Sequence, residues 1–169
     1  VKAIITNCSN NYGPKQNPEK FIPKIIYNIL HKKKLPVYGN GKNSREWIYV
    51  LDHCEALYKI YQKGKTGQTY NIGSNKNLVN KELIKKIIFI CKSKKIFDKR
   101  SKLIFVKDRP GHDLRYALDS KKIRSELKWS SQINIDEGLT RTIDWYQSNE
   151  KFYKLARNKK FFKRLGKKR

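Results

Sequence analysis

Asn10, Asn11, Lys20, Tyr38, Arg45, Asn77, Arg109 and His112 all fall just after apolar, strand-like runs or at polar turns, where α/β proteins assemble ligand sites. Together they bring phosphate donors, aromatic faces and Asn amides to the same kind of position. Arg45 and Arg109 suit a diphosphate, because a planar guanidinium fork meets its oxygens with two parallel hydrogen bonds. The chain has only nine Arg, so two in such loops carry weight.

The short catalytic motifs are absent or broken. No GxGxxG occurs, and Gly64-Lys65-Thr66 lacks the upstream Gly of a phosphate-cradling loop, since Lys59 stands at that position. Tyr-x-x-x-Lys occurs as Tyr38 to Lys42 and as Tyr61 to Lys65. The first spans Gly39 and Gly41, and the second crosses Gly64, so neither keeps the one-turn helical geometry that would align a phenol with an ammonium. His31, His53 and His112 lie in unrelated contexts without a Ser or Cys elbow beside them, which leaves no nucleophile triad. Cys8, Cys54 and Cys91 are too scattered for a disulfide framework or a zinc site. No catalytic residue and no metal ligand is assigned.

The elements that must hold these loops alternate. VKAIIT, residues 1 to 6, reads as a strand of the type buried in a parallel sheet, followed by a loop over NCSNNYGPKQNP. Phe21, Ile22, Ile25, Ile26, Ile29 and Leu30 define one face of a helix. Strands are expected at Pro36 to Tyr38 and Glu46 to Val50, then a helix through Ala56 and Ile60 that stops at Gly64. A strand at Gln68 to Ile72 precedes a helix from Asn80, with Asn80 as its cap, and another strand spans Leu103 to Val106. Asp119 is placed as the cap of a helix reaching Leu127, and Ile135 to Gln147 forms the last amphipathic one. The alternation predicts an α/β class.

The 169 residues suffice for one full domain, and 38% apolar content supports a packed core. No apolar run approaches the roughly 20 residues of a spanning helix. Together with the unpaired cysteines, this predicts a soluble, cytoplasmic chain without membrane association. The net charge of +26 comes from 31 Lys and 9 Arg, in a chain with 19 Ile and 14 Asn. Scattered Lys on solvated faces explains it better than nucleic-acid binding, which leans on clustered Arg forks. Residues 150–169 hold ten Lys or Arg and read as a frayed basic tail beyond a domain of residues 1–149. The absence of Met, with Val first, predicts an incomplete chain.

Three blocks carry a resemblance: Asn7-Cys8-Ser9-Asn10-Asn11-Tyr12-Gly13-Pro14 with Pro18-Glu19-Lys20-Phe21-Ile22-Pro23; Pro36-Val37-Tyr38-Gly39-Asn40-Gly41 with Arg45 and Trp47-Ile48-Tyr49-Val50; and Asp108-Arg109-Pro110-Gly111-His112-Asp113. Over residues 1 to 148 the chain resembles the C-terminal half of the dTDP-glucose 4,6-dehydratase family of extended short-chain dehydrogenases/reductases. The resemblance implies the C-terminal part of an NAD(P)-binding Rossmann-like fold with its small substrate-binding subdomain. It also implies a hydro-lyase using NAD, acting on a dTDP-sugar and working as a homodimer. Oxidation at C4, loss of water across C5 and C6, and hydride return to C6 give the 4-keto-6-deoxy sugar, with the acid and base upstream of this segment. The substrate-binding set carried over is Asn10, Lys20, Pro36, Val37, Tyr38, Arg45, Asn77, Asp108, Arg109, Pro110, Gly111 and His112, with Asn11 beside the nicotinamide. Asn71 is the fallback for Asn77, and Tyr116 belongs to pocket or core. A related nucleotide-sugar epimerase or decarboxylase, or a basic module for nucleic acid or anionic membrane, is the alternative.

Overall fold

A computed structural model describes residues 2–108, 110–111 and 113–156. The elements run β1 (Ile5–Cys8), β2 (Asn10–Tyr12), α1 (Phe21–Leu30), β3 (Leu35–Tyr38), β4 (Ser44–Tyr49), α2 (Val50–Lys63) and β5 (Thr69–Ile72). They continue with β6 (Asn77–Val79), α3 (Asn80–Ser93), β7 (Leu103–Val106), β8 (Arg115–Tyr116), α4 (Lys121–Leu127), α5 (Ile135–Ser148) and α6 (Glu150–Ala156). The α/β class holds. No helix among the described residues is long and apolar enough to cross a membrane.

Strand β4 is the shared wall of two cores. Its alternation sends Trp47 and Tyr49 to a cluster with Ile22, Ile26, Leu35, Ile84 and Ile143 from α1, β3, α3 and α5. Ile48 points the other way, into a smaller cluster with Ala56, Ile60, Tyr70, Ile72, Ile123 and Trp129. Each fully buried Ile or Leu contributes roughly 1.5–3 kcal/mol before chain entropy is charged against it. Along β4, Ser44–Glu46 pair antiparallel with β6, Trp47–Tyr49 pair parallel with β2, and Ser44 and Arg45 also pair with β8. Strands β1 and β5 form a separate parallel pair, as do β3 and β7.

Several local expectations shift. The first strand lies at Ile5–Cys8 instead of residues 1 to 6, and all four of its residues are exposed because β5 is its one partner among the described residues. The adjoining polar segment contains β2, since β4 supplies Asn10–Tyr12 with hydrogen bonds despite their loop-like composition. Helix α3 has Val79, not Asn80, at its N-cap. Helix α4 begins at Lys121 after Ser120, yet Asp119 Oδ1 does accept the Lys121 N–H at 2.9 Å. Helix α2 stops at Gly64, whose φ of −69° is ordinary; a Cβ there would collide with the Ile60 carbonyl, so space explains the glycine.

Beyond residue 149, α6 folds back on the first core. Tyr153 is 1% exposed and stacks on Tyr146 at 4.8 Å, while Phe152 meets Trp145 edge-on. The expected tail therefore starts as a packed helix, because its aromatics find an apolar seat. Residues 157–169, the rest of that segment, lie outside the described residues, as do Val1, Arg109 and His112.

Candidate nucleotide-sugar site

Parallel β3 and β7 run in register from Leu35↔Leu103 to Tyr38↔Val106, so both strands discharge their loops at one end. Those loops meet. The Gly39 N–H donates to the Val106 carbonyl at 2.9 Å, and Gly39 adopts φ 55° beside Asp108. The positive φ favours glycine there, and a Cβ on Gly39 would stand 2.8 Å from Asp108 Oδ2, so the two loops lie in close contact. The turn that follows is tied to the first turn of α3, where the Asn80 N–H donates to the Asn43 carbonyl at 2.9 Å and the Lys81 N–H to the Gly41 carbonyl at 3.2 Å.

Next along the chain, β4 begins beside segment 113–116. The Ser44 N–H donates to the Leu114 carbonyl at 2.8 Å, and buried Asn43 donates from Nδ2 to the Asp113 carbonyl at 3.1 Å. Arg45 gives Nη1 to the Ser44 carbonyl at 2.7 Å and Nη2 to the Asp113 carbonyl at 2.9 Å. Two main-chain carbonyls thus fix a half-buried guanidinium in place. Preorganising a fork in this way reduces the rotamer entropy lost when it grips an anion.

Of the sequence-derived set, Pro36, Val37, Tyr38, Arg45, Asp108, Pro110 and Gly111 fall in these converging segments. Pro36 and Tyr38 share the half-open face of β3, whereas the Val37 side chain is buried in the core. Asn10 and Asn11 sit on β2 opposite Trp47 and Ile48. Lys20 precedes α1, exposed and paired with Glu19 at 3.2 Å. Tyr116 is 42% exposed on β8 next to Arg45, which makes it surface, not core.

Asn77 is not in this group. It lies on β6 opposite Glu46, exposed, and lines a different cavity of about 480 Å³ with Tyr12, Trp47, Arg124 and residues 130–135. Asn71, the fallback, is committed elsewhere: its Nδ2 donates to the Asp119 carbonyl and its Oδ1 accepts from Asn7, each at 3.1 Å. The residue that sequence reasoning passed over is Asn80. Its backbone anchors the Asn43 turn, and its Oδ1 is buried without a hydrogen-bond partner. Buried amide oxygens are rarely left so, because desolvation without a donor costs roughly 1–3 kcal/mol. The sequence suggests Asn80 as the helix cap, but Val79 holds the N-cap position and Asn80 is the first residue of α3. Asn11 shows the same signature: Nδ2 donates to the Ser9 carbonyl at 3.3 Å while Oδ1 stays buried and unpaired.

Among the described residues of this cleft no acid/base pair emerges. Tyr12 is buried, and desolvation, followed by the nearby Asp52 charge, holds its phenol well above the usual range. Burial likewise pushes the Cys91 thiol up to about 12. No cluster of three metal-ligating side chains occurs among the described residues.

Residues 1–142 match the pattern of the family described as GDP-mannose 4,6 dehydratase. The dTDP-glucose 4,6-dehydratase of Escherichia coli is 46% identical over 160 residues, covering 90% of this chain and 44% of that protein. A probable dTDP-glucose 4,6-dehydratase of Sinorhizobium fredii is 44% identical over 98% of this chain and 48% of its own length. Among solved structures, a dTDP-glucose 4,6-dehydratase of Streptomyces venezuelae with NAD and dTDP bound superposes with a TM-score of 0.82 at 41% identity, over 90% of this chain and 46% of that one. The UDP-glucose 4-epimerase of Thermotoga maritima shares the fold, with a TM-score of 0.81 at 24% identity over 89% of this chain and 47% of that one. The chain spans about half the length of the curated relatives it matches. It belongs to the GDP-mannose 4,6 dehydratase family, on a Rossmann-like α/β fold.

Proposed function

We propose that this chain is the nucleotide-sugar-binding part of a dTDP-glucose 4,6-dehydratase, a hydro-lyase that converts dTDP-glucose to dTDP-4-keto-6-deoxyglucose. The observation that carries the reading is the Arg45 fork, braced by the Ser44 and Asp113 carbonyls at the mouth where the Tyr38 and Asp108 loops converge. Arg45 grips the diphosphate bidentately, and Tyr38 offers its ring to the thymine. Asp108, Pro110 and Gly111, with Pro36 and Val37, shape the nucleoside wall. Arg109 and His112 keep the diphosphate and ribose roles that the resemblance implies. Asn80 replaces Asn77 as the Asn of the site, its unpaired Oδ1 taking a ligand donor. Asn10 reaches the sugar or its phosphates, and Lys20 the nucleotide.

NAD is the proposed cofactor, and it supplies reversible hydride transfer when bound. In this chain the residue that fits it is Asn11, whose unpaired Oδ1 offers an acceptor to a carboxamide N–H. The acid and base of the elimination are not assigned to any residue here. The binding part is taken as residues 1–149 together with the start of α6; a homodimer and a cytoplasmic setting complete the proposal, with no role for nucleic acid or membrane.

Calorimetric titration of the chain with thymidine diphosphate and with uridine diphosphate tests the reading. Tighter binding of the thymidine nucleotide supports it. Preference for uridine moves the assignment to a related epimerase or decarboxylase, and binding of neither overturns it.

A further inference from the structure

Glu46 is 1% exposed, the neighbour of Arg45 on β4, and its side chain points to the opposite face of the strand. Its two carboxylate oxygens go to two different loops. Oε1 accepts the Asn75 N–H at 2.5 Å, and Oε2 accepts the Leu118 N–H at 3.0 Å. The first loop follows β5, and a Cβ on Gly73 would overlap Oε1, so that loop is moulded against the carboxylate. The second is the continuation of β8.

Segment 113–118 therefore lies along β4 with fixed points at both ends. Asn43 and Arg45 hold the Asp113 carbonyl, Ser44 holds Leu114, and Glu46 holds Leu118. Strand β8 has two residues, too few to fix register by side-chain alternation alone. We infer that Glu46 is a positioning residue for ligand binding: by clamping Leu118 and Asn75 it sets the register of segment 113–118 on β4, and with it the Asp113 carbonyl that aims the Arg45 fork. The inference rests on the proposed diphosphate role of Arg45. Charge-assisted bonds from a buried carboxylate to main-chain N–H groups are among the stronger ones, so the clamp is stiff. A carboxamide at this position cannot serve both loops, because its NH₂ would face a second donor.

The test uses the 169-residue chain as wild type, Glu46→Gln, Arg45→Lys and the double variant, with Glu46→Asp in place of Gln if the latter lowers the melting temperature to that of the assay. Amide exchange at Asn75 and Leu118 reads the clamp, and affinity for thymidine diphosphate reads the fork. Loss of the clamp is expected to speed exchange at both amides at least about tenfold and to weaken binding about fivefold or more. On the Arg45→Lys background the same change should weaken binding by less than about twofold, because a positioning residue has nothing left to aim. Faster exchange with unchanged affinity, or a loss that multiplies in full on that background, overturns the inference alone. A wild-type chain that binds no thymidine diphosphate removes the function reading and this inference together.

Discussion

A buried amide oxygen with no donor from the protein gains from any donor that reaches it, and this distinguishes Asn80 from the exposed Asn77. Replacing Asn80 with Ala removes the orphaned acceptor along with the side chain, so stability should stay within about 1 kcal/mol of wild type. Affinity for thymidine diphosphate should fall about tenfold, the equivalent of one good hydrogen bond. Paired denaturation and titration curves check this; equal losses in both would make Asn80 a packing residue. The two Asn also show where sequence reading ran out. Arg45 and Tyr38 stand out in the sequence because guanidinium forks and aromatic rings announce their chemistry by type. An Asn does not, since cap, turn and ligand contact all use the same amide. Only the β4–β6 register, Glu46↔Asn77 and Ser44↔Val79, reveals which of them stands beside the Asn43 turn.

At the scale of elements, legibility followed length and self-sufficiency. Helix α1 was readable because Ile22, Ile25, Ile26 and Ile29 are spaced for one face, and all four are buried. Helix α5 was readable from Ile135 onward, although its cap, Asn134 accepting the Glu137 N–H at 3.0 Å, was not singled out. Strands β6 and β8, of three and two residues, were invisible because β4, and not their own pattern, makes them strands. Helix α2 carries a prediction of its own. His53 sits in its first turns, and desolvation by burial lowers its pKa from 6.5. The folded state then binds a proton less readily than the unfolded chain, so this contribution is complete above pH 6.5 and is lost progressively as pH falls below that value. His53→Gln should flatten the stability profile on the acid side of neutrality. A profile that keeps its slope in the variant assigns the acid sensitivity to another group.

The whole molecule closes at one end and stays open at the other. Helix α6 completes the first core through Tyr153, so a chain cut after residue 149 should lose about 3–5 kcal/mol, the usual cost of removing a large buried aromatic. Tyr153→Ala in the uncut chain should reproduce most of that loss in urea denaturation; if it does not, the contribution lies in other parts of the segment. Strand β1 is the open end. It pairs only with β5 among the described residues, all four of its residues are exposed, and Ile5 is 60% accessible. An unprotected strand edge recruits further strands, while a net charge of +26 keeps copies apart at low salt. Screening removes the second effect and leaves the first, since the Debye length contracts to about 8 Å at physiological ionic strength. Self-association and binding of an environment-sensitive dye should therefore rise with salt, and Ile5→Lys should suppress both without lowering the melting temperature. Sedimentation across a salt series decides the matter: association that falls with salt would make it a charge-driven contact, and a wild-type chain that stays monomeric and dye-silent throughout would mean that β1 is not an adhesive edge.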